Sequence, residues 1–153
     1  MFAQLPRLLE RVGTTPRQGS ITGLYTVLVE GDDLNDPVAD AIRSIADGHI
    51  VLSRDLANQN HYPAIDVLAS VSRVMNDIVS PEQKAARNQL VSLLAIYKKA
   101  EDLINIGAYV KGSNPQIDYA IKKIADIHSF LRQAVNEKIH FEKCLANLQA
   151  LFP

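Results

Sequence analysis

The apolar positions along this chain change period near residue 78. Before it, short elements alternate. Leu5, Leu8, Leu9 and Val12 recur at helical spacing, and Gly13 can end that helix. Ile21 to Val29 is nearly apolar throughout and rich in β-branched and aromatic residues, the pattern of a strand covered on both faces of a parallel sheet. Glu30 to Pro37 (EGDDLNDP) is an acidic, turn-rich loop whose proline suits the first position of a helix. Val38, Ile42 and Ile45 then mark a short helix ending near Gly48. His49 to Leu52 is a second short strand, Asp55 to Asn60 a helical turn or two, and Ala64 to Ser72 a third strand. That order predicts right-handed crossovers and a parallel sheet.

Beyond about Asp77 the period is helical throughout. Ser80, Pro81 and Glu82 form an N-terminal helix signal with Ser80 as the cap. One apolar face then runs from Ala86 through Leu90, Leu93, Leu94 and Tyr97 to Leu103 and Ile104. Gly107 to Pro115 (GAYVKGSNP) ends that helix. Ile117, Ala120, Ile121, Ile124, Ile127 and Leu131 carry a second helix, and a third spans roughly Lys138 to Leu151. The predicted fold is thus α/β plus all-α: an α/β part over residues 1–78, then a three-helix antiparallel array over 79–153.

Composition changes this picture little. The net charge is −1, and no Lys/Arg run is long enough to make a nucleic-acid stripe. The single cysteine, Cys144, excludes an internal disulfide and sits in a helical apolar pattern that reads as core filler. No apolar run approaches the roughly 18 residues of a membrane span. Motif chemistry is sparse: there is no G-x-x-x-x-G-K-[ST], G-x-G-x-x-G, C-x-x-C or H-E-x-x-H. His49, His61, His128 and His140 lack metal-ligand spacing and read as surface or capping residues. One stretch stands apart. HYPAIDVLASVSRVM, His61 to Met75, places Tyr62 ahead of an apolar run that ends in Arg73. An arginine delivered by a buried strand costs several kcal/mol unpaired, so it calls for an anion, and phosphate suits its rigid donor fork.

Several stretches together resemble the catalytic ATPase of type III protein export, a family related to the α and β subunits of rotary ATP synthases. They are LPRLLERVG (Leu5 to Gly13), GSIT…YTVLVEGDDLNDP (Gly19 to Pro37), DGHIVLSRDLA (Asp47 to Ala57), HYPAIDVLASVSRVM and GAYVKGSNPQID (Gly107 to Asp118). GAYVKGSNP looks closer to the flagellar branch than to the injectisome branch. The resemblance implies the last strands of a RecA-like parallel sheet followed by the C-terminal helical domain. It also implies a C-terminal fragment, with Met1 an added start or truncation point, since the family's phosphate loop, catalytic glutamate and magnesium-binding aspartate precede LPRLLER.

Roles follow from the resemblance residue by residue. Arg73 matches the arginine finger that reaches the γ-phosphate of ATP in the neighbouring subunit; the alternative is a structural ion pair. Tyr62 matches the aromatic that stacks on adenine; the alternative is a core tyrosine. Phe141 and Val135 align with the rest of the adenine pocket or pack in the core. Asp32, Asp33 and Asp36 match a loop that faces the central stalk, or form a solvated turn in which Asp36 caps the next helix. GAYVKGSNP occupies the place of an acidic stalk-contacting loop but carries Lys111 and no carboxylate. The implied cofactors are ATP and Mg2+, with no Mg2+ ligand in this chain; lacking the phosphate loop, the fragment alone should be inactive. The implied partners are further copies in a homohexamer, central stalk and stator proteins, and export chaperones and substrates. The implied location is cytoplasmic, peripheral to the inner-membrane export gate. The other readings are a chaperone- or substrate-docking module, an injectisome ATPase, and a rotary ATP synthase subunit.

Overall fold

The computed structural model describes residues 5–14, 16, 18–33 and 36–152, with nothing to say of the Leu5 and Asp32 side chains. The described chain packs as two units, residues 1–49 and 50–153.

In the first unit, α1 (Leu5–Leu9) is followed by two-residue strands β1 (Gly13–Thr14) and β2 (Ser20–Ile21), paired antiparallel. Tyr25 Oη donates to the Leu8 carbonyl at 3.3 Å, folding the following segment back on α1. Gly23 makes that return possible. A Cβ there would meet the Tyr25 ring at 2.7 Å and Val12 Cγ1 at 2.8 Å, closer than atoms can pack. The strand expected over Ile21 to Val29 is not formed past Ile21, and Leu24 and Leu28 are 93% and 94% exposed. A strand covered on both faces needs neighbours along its edges and layers above and below it. The described residues supply neither. After a 3-10 turn at Glu30–Asp32, α2 (Pro37–Ile45) starts where its proline predicts. Asp36 Oδ1 accepts from the Val38 and Ala39 amides at 2.8 and 3.1 Å, satisfying two amides that the helix start leaves open, while Pro37 has none to satisfy.

β3 (Gly48–Leu52) leads into α3 (Arg54–Asn58) and then β4 (Ile65–Ser72), and β3 and β4 pair. The Ser53 amide donates to the Ala64 carbonyl at 2.8 Å, which sets the end of β3 beside the start of β4. That is an antiparallel return where a parallel crossover was expected. The turn after α3, where the Asn60 and His61 amides donate to the Ala57 and Leu56 carbonyls, brings the chain back beside the end of β3.

The second unit closes on helices. After the short α4 (Met75–Ile78), α5 (Pro81–Asn105) begins with Ser80 Oγ accepting from the Gln83 amide at 3.2 Å. It ends at Gly107, whose φ of +70° lets the Ala108 and Tyr109 amides turn back onto the Leu103 carbonyl. α6 (Pro115–Leu131) is capped by Asn114. α7 (Phe141–Ala150) starts three residues later than the apolar pattern suggests, after a turn in which the Ala134 amide donates to Glu137 Oε2 at 3.1 Å. Leu90, Leu93, Ala120 and Ile127 form the buried centre, with Val67 of β4 and Leu148 of α7 packed against it. The 3.6-residue stripe thus buries its middle, while Leu103 near the end of α5 and Ile121 on the flank of α6 stay exposed. Cys144 on α7 is unpaired and half-buried, less enclosed than the core filler its pattern suggested.

Candidate functional site

Two bonds bring the residues after α3 against the C-terminus of α6. The His61 amide donates to the Leu56 carbonyl at 2.9 Å, and the Gln133 amide donates to the Tyr62 carbonyl at 2.9 Å. Together they hold Tyr62 beside the residues that follow α6. A shallow cleft of about 270 Å3 results, lined by Asn60, Tyr62, Arg132, Gln133 and Ala134. Tyr62 is 52% exposed there, so its ring is available to a ligand, and it is not the core tyrosine of the alternative reading.

Beneath Tyr62 lies an aromatic cluster that spacing did not reveal. His61 is only 4% exposed, contrary to the surface or capping role expected for it. Its ring meets His128 edge-on at 5.8 Å, and His128 meets Tyr97 edge-on at 6.5 Å. Burial lowers the pKa of His61 first, and the Arg132 guanidinium adds to it. Burial likewise lowers His128, with smaller contributions from His61 and Arg132, against an opposing pull from Glu101. Two packed imidazoles next to a guanidinium stay neutral because a further positive charge there would be poorly solvated. His140 does stand at the N-cap of α7, although its side chain makes no cap bond.

The remaining sequence candidates are not gathered at this cleft. Val135 is 98% exposed and Phe141 67% exposed, and neither lines it. Both therefore depart from the core-packing alternative. Arg73 follows the last residue of β4 and is exposed. β4 is half-buried over most of its length and open at its last two residues, so the cost of a buried guanidinium does not arise in this chain. Asp33 is exposed, Asp36 is half-buried and caps α2, and the Asp32 side chain lies outside what is described. Among the described residues no group of three or more His, Cys, Asp or Glu side chains is placed to hold a metal ion.

Sequence reasoning missed Asn60, Arg132, Gln133 and Ala134. Asn60 had a signal: it precedes the HYP turn and takes a left-handed φ of 54°, which asparagine tolerates. Arg132 to Ala134 had only the end of the α6 stripe to point at them.

Loop 107–114 is held by one carboxylate. Asp118 accepts from Tyr109 Oη at 3.0 Å and from the Gly112 amide at 2.9 Å. Val110 on that loop is 71% exposed, with Ile106 just before it at 75%. Among the described residues no helix is long and apolar enough to cross a membrane.

Comparison with known proteins matches the chain in two consecutive parts. Residues 1–72 match the model of the ATP synthase alpha/beta family, nucleotide-binding domain. Residues 79–150 match that of the T3SS EscN ATPase C-terminal domain. The flagellum-specific ATP synthase of Treponema pallidum is 48% identical over 99% of this chain and 34% of its own length. The type 3 secretion system ATPase of Pseudomonas savastanoi pv. phaseolicola is 49% identical over 99% of this chain and 33% of its own. The solved structure of the assembled ATPase EscN from the enteropathogenic E. coli type III secretion system superposes with a TM-score of 0.93 at 47% identity, over 98% of this chain and 36% of that one. The chain thus spans about a third of the length of the curated relatives it matches. The superposition bears out the α/β-plus-helical architecture.

Proposed function

From the premise that this chain belongs to the type III export ATPases of the ATP synthase α/β family, matching their C-terminal part, we propose that it serves an ATPase that energises flagellar protein export. Within that ATPase it contributes two half-sites. Tyr62 stacks on the adenine of its own subunit's ATP, and Arg73 reaches the γ-phosphate of ATP held by a neighbouring copy in a homohexamer. The division at about residue 79 separates the part bearing Tyr62 and Arg73 from the helices that move against it as nucleotide binds and leaves.

The observation that carries this reading is the exposure of Tyr62 in a cleft pinned by the Gln133–Tyr62 bond, on the strand entrance that leads to Arg73. An exposed guanidinium after β4 is suited to a phosphate outside its own chain. Its planar, permanently charged fork meets the charge that develops on the transferred phosphoryl oxygens, and such fingers contribute about 10³–10⁵ in rate. Mg2+ would supply charge neutralisation at the phosphates, held by ligands in other parts of the ATPase. On this reading the 153-residue chain has no turnover by itself, which an ATPase assay on it checks. The flagellar assignment rests on GAYVKGSNP, since overall identity is alike for the flagellar and injectisome relatives at 48% and 49%. The ATPase works in the cytoplasm, peripheral to the membrane export gate.

The test is Arg73→Ala in the full-length subunit. Turnover should fall by orders of magnitude while hexamers form normally. Near-normal turnover in intact hexamers would remove the finger assignment.

A docking role is supported by a separate observation: the clamped loop 107–114 presents Ile106 and Val110 to solvent. A related ATPase has been solved in complex with its central stalk. Stalk and stator proteins, export chaperones and their substrates are the partners this surface and the 30–36 loop would serve. Binding of a purified chaperone to the 153-residue chain, lost in Val110→Asp, would establish it.

A further inference from the structure

The cleft beside Tyr62 is not walled as the family resemblance led us to expect. Val135 and Phe141, the apolar residues expected opposite the tyrosine, stand 98% and 67% exposed and do not line it. Arg132, Gln133 and Ala134 do. We propose that Arg132 is a specificity-determining residue of this cleft, its guanidinium covering the free face of a purine stacked on Tyr62. The inference rests on the reading of Tyr62 as the base-stacking residue.

Arg132 is the one charged side chain among the residues that line the cleft. The Gln133 side chain is committed, Nε2 donating to the Glu137 carbonyl at 3.0 Å, and its amide is spent on Tyr62. The Ala134 amide donates to Glu137 Oε2. Among the described residues no carboxylate bridges Arg132. The titratable groups it acts on are His61 and His128, which burial and Arg132 itself keep on the neutral side and which therefore offer no countercharge. The position of Arg132 is fixed all the same. Its amide closes α6 by donating to the His128 carbonyl at 3.1 Å, and the next residue bonds Tyr62. A cation without a countercharge is thereby held at the mouth of an aromatic cleft.

Guanidinium suits that position for two reasons. It is planar and weakly hydrated, so it stacks on a ring face where an ammonium would keep its water. It also has only donors, and a purine edge offers ring-nitrogen acceptors. A base held between an aromatic ring and a guanidinium plane is a recurrent way of gripping an unpaired nucleobase. A purine, with more ring area for both faces, should be preferred to a pyrimidine.

The test is titration of the 153-residue chain with adenosine at millimolar concentration, read by NMR at Arg132 Nε–H and the Gln133 amide, with uridine and inorganic phosphate as parallel probes. Adenosine should shift both signals and uridine should bind more weakly. Arg132→Ala should weaken adenosine roughly fivefold, with Arg132→Lys recovering little of it because the charge returns without the plane. Arg132→Ala should also raise the pKa of His61 and His128, which shows that the variant is folded and the guanidinium absent. If Tyr62→Ala loses adenosine while Arg132→Ala binds like wild type, the arginine wall is wrong and the stacking role of Tyr62 stands. If neither substitution matters, or adenosine does not bind, both readings fail. A shift of Arg132 by phosphate and not by adenosine makes it an anion site and overturns the proposal.

Discussion

The two units of this chain differ in how far each completes its own interior. In residues 50–153, Leu90, Leu93, Ala120 and Ile127 close a core around which β4 and three helices are arranged. In residues 1–49 the described part buries one apolar residue fully, Ala39, and leaves Leu24 and Leu28 almost bare. Both have ample apolar sequence. The helical region satisfies its backbone within each helix and needs only a neighbour for one face. The strand-forming region needs partners along both edges and cover on both faces, and such partners come from elsewhere in a sheet. Stability should therefore be concentrated in the helical unit, and substitutions can test that.

The sharpest contrast comes from one truncation in each unit. Ile127 is fully buried, whereas Leu28 is 94% exposed. Ile127→Ala should cost about 2–5 kcal/mol through lost burial and the cavity left behind. Leu28→Ala should stay within about 0.5 kcal/mol. Urea midpoints followed by circular dichroism at the helical signal decide it. Equal effects would mean that the interior of the helical unit is not what holds this chain together.

A smaller effect comes from the buried histidines. His61 and His128 have lowered proton affinity in the folded chain, while an unfolded imidazole titrates near 6.5. The unfolded state therefore takes up protons first as pH falls. The contribution is fully present above about pH 6.5 and is lost as pH drops through that value toward the lower folded ones. The thermal midpoint of the helical unit should fall between about pH 7.5 and 5.5. His128→Gln, which cannot titrate, should flatten the slope. Glu101 tempers the effect at His128, so Glu101→Gln should steepen it.

How much of this was legible in the sequence follows the same division. Ser80, Asp36 and Asn114 all cap where their residue types and the prolines after them indicate, because capping is local chemistry. The stripe through Leu90, Leu93, Ala120 and Ile127 was equally readable. Ile21 to Val29 has the composition of a covered strand, yet composition states what a segment is suited to and not whether its neighbours are present. The β3–β4 return depends on the turn at Asn60–His61 that follows α3, which hydrophobic periodicity does not mark. At the cleft, Tyr62 stood out as an aromatic ahead of the apolar run that ends in Arg73. Arg132 did not, since nothing in RQAVNEK marks an arginine that a backbone bond from Gln133 to Tyr62 will bring beside a ring. His61 was misjudged because a histidine in a loop is usually solvated, and its burial depends on His128, far away in sequence.

The finest comparison uses the same device in both units. Asp36 caps α2 with two amide bonds and Ser80 caps α5 with one. Asp36→Ala and Ser80→Ala should each cost about 1 kcal/mol at the helix concerned. Where that cost appears should differ. α5 carries Leu90 and Leu93 of the closed core, so losing its cap should lower the midpoint of cooperative unfolding for the whole helical unit. α2 belongs to the unit whose interior is open. Losing Asp36 should speed amide exchange along Pro37–Ile45 and leave exchange in α5 and α6 unchanged, since opening there already costs less than global unfolding. Native-state hydrogen exchange on both variants resolves the two cases residue by residue. If Asp36→Ala sped nothing in α2 beyond the rest of the chain but accelerated exchange in α6 as well, the units would unfold as one, and the contrast in their interiors would not translate into a contrast in stability.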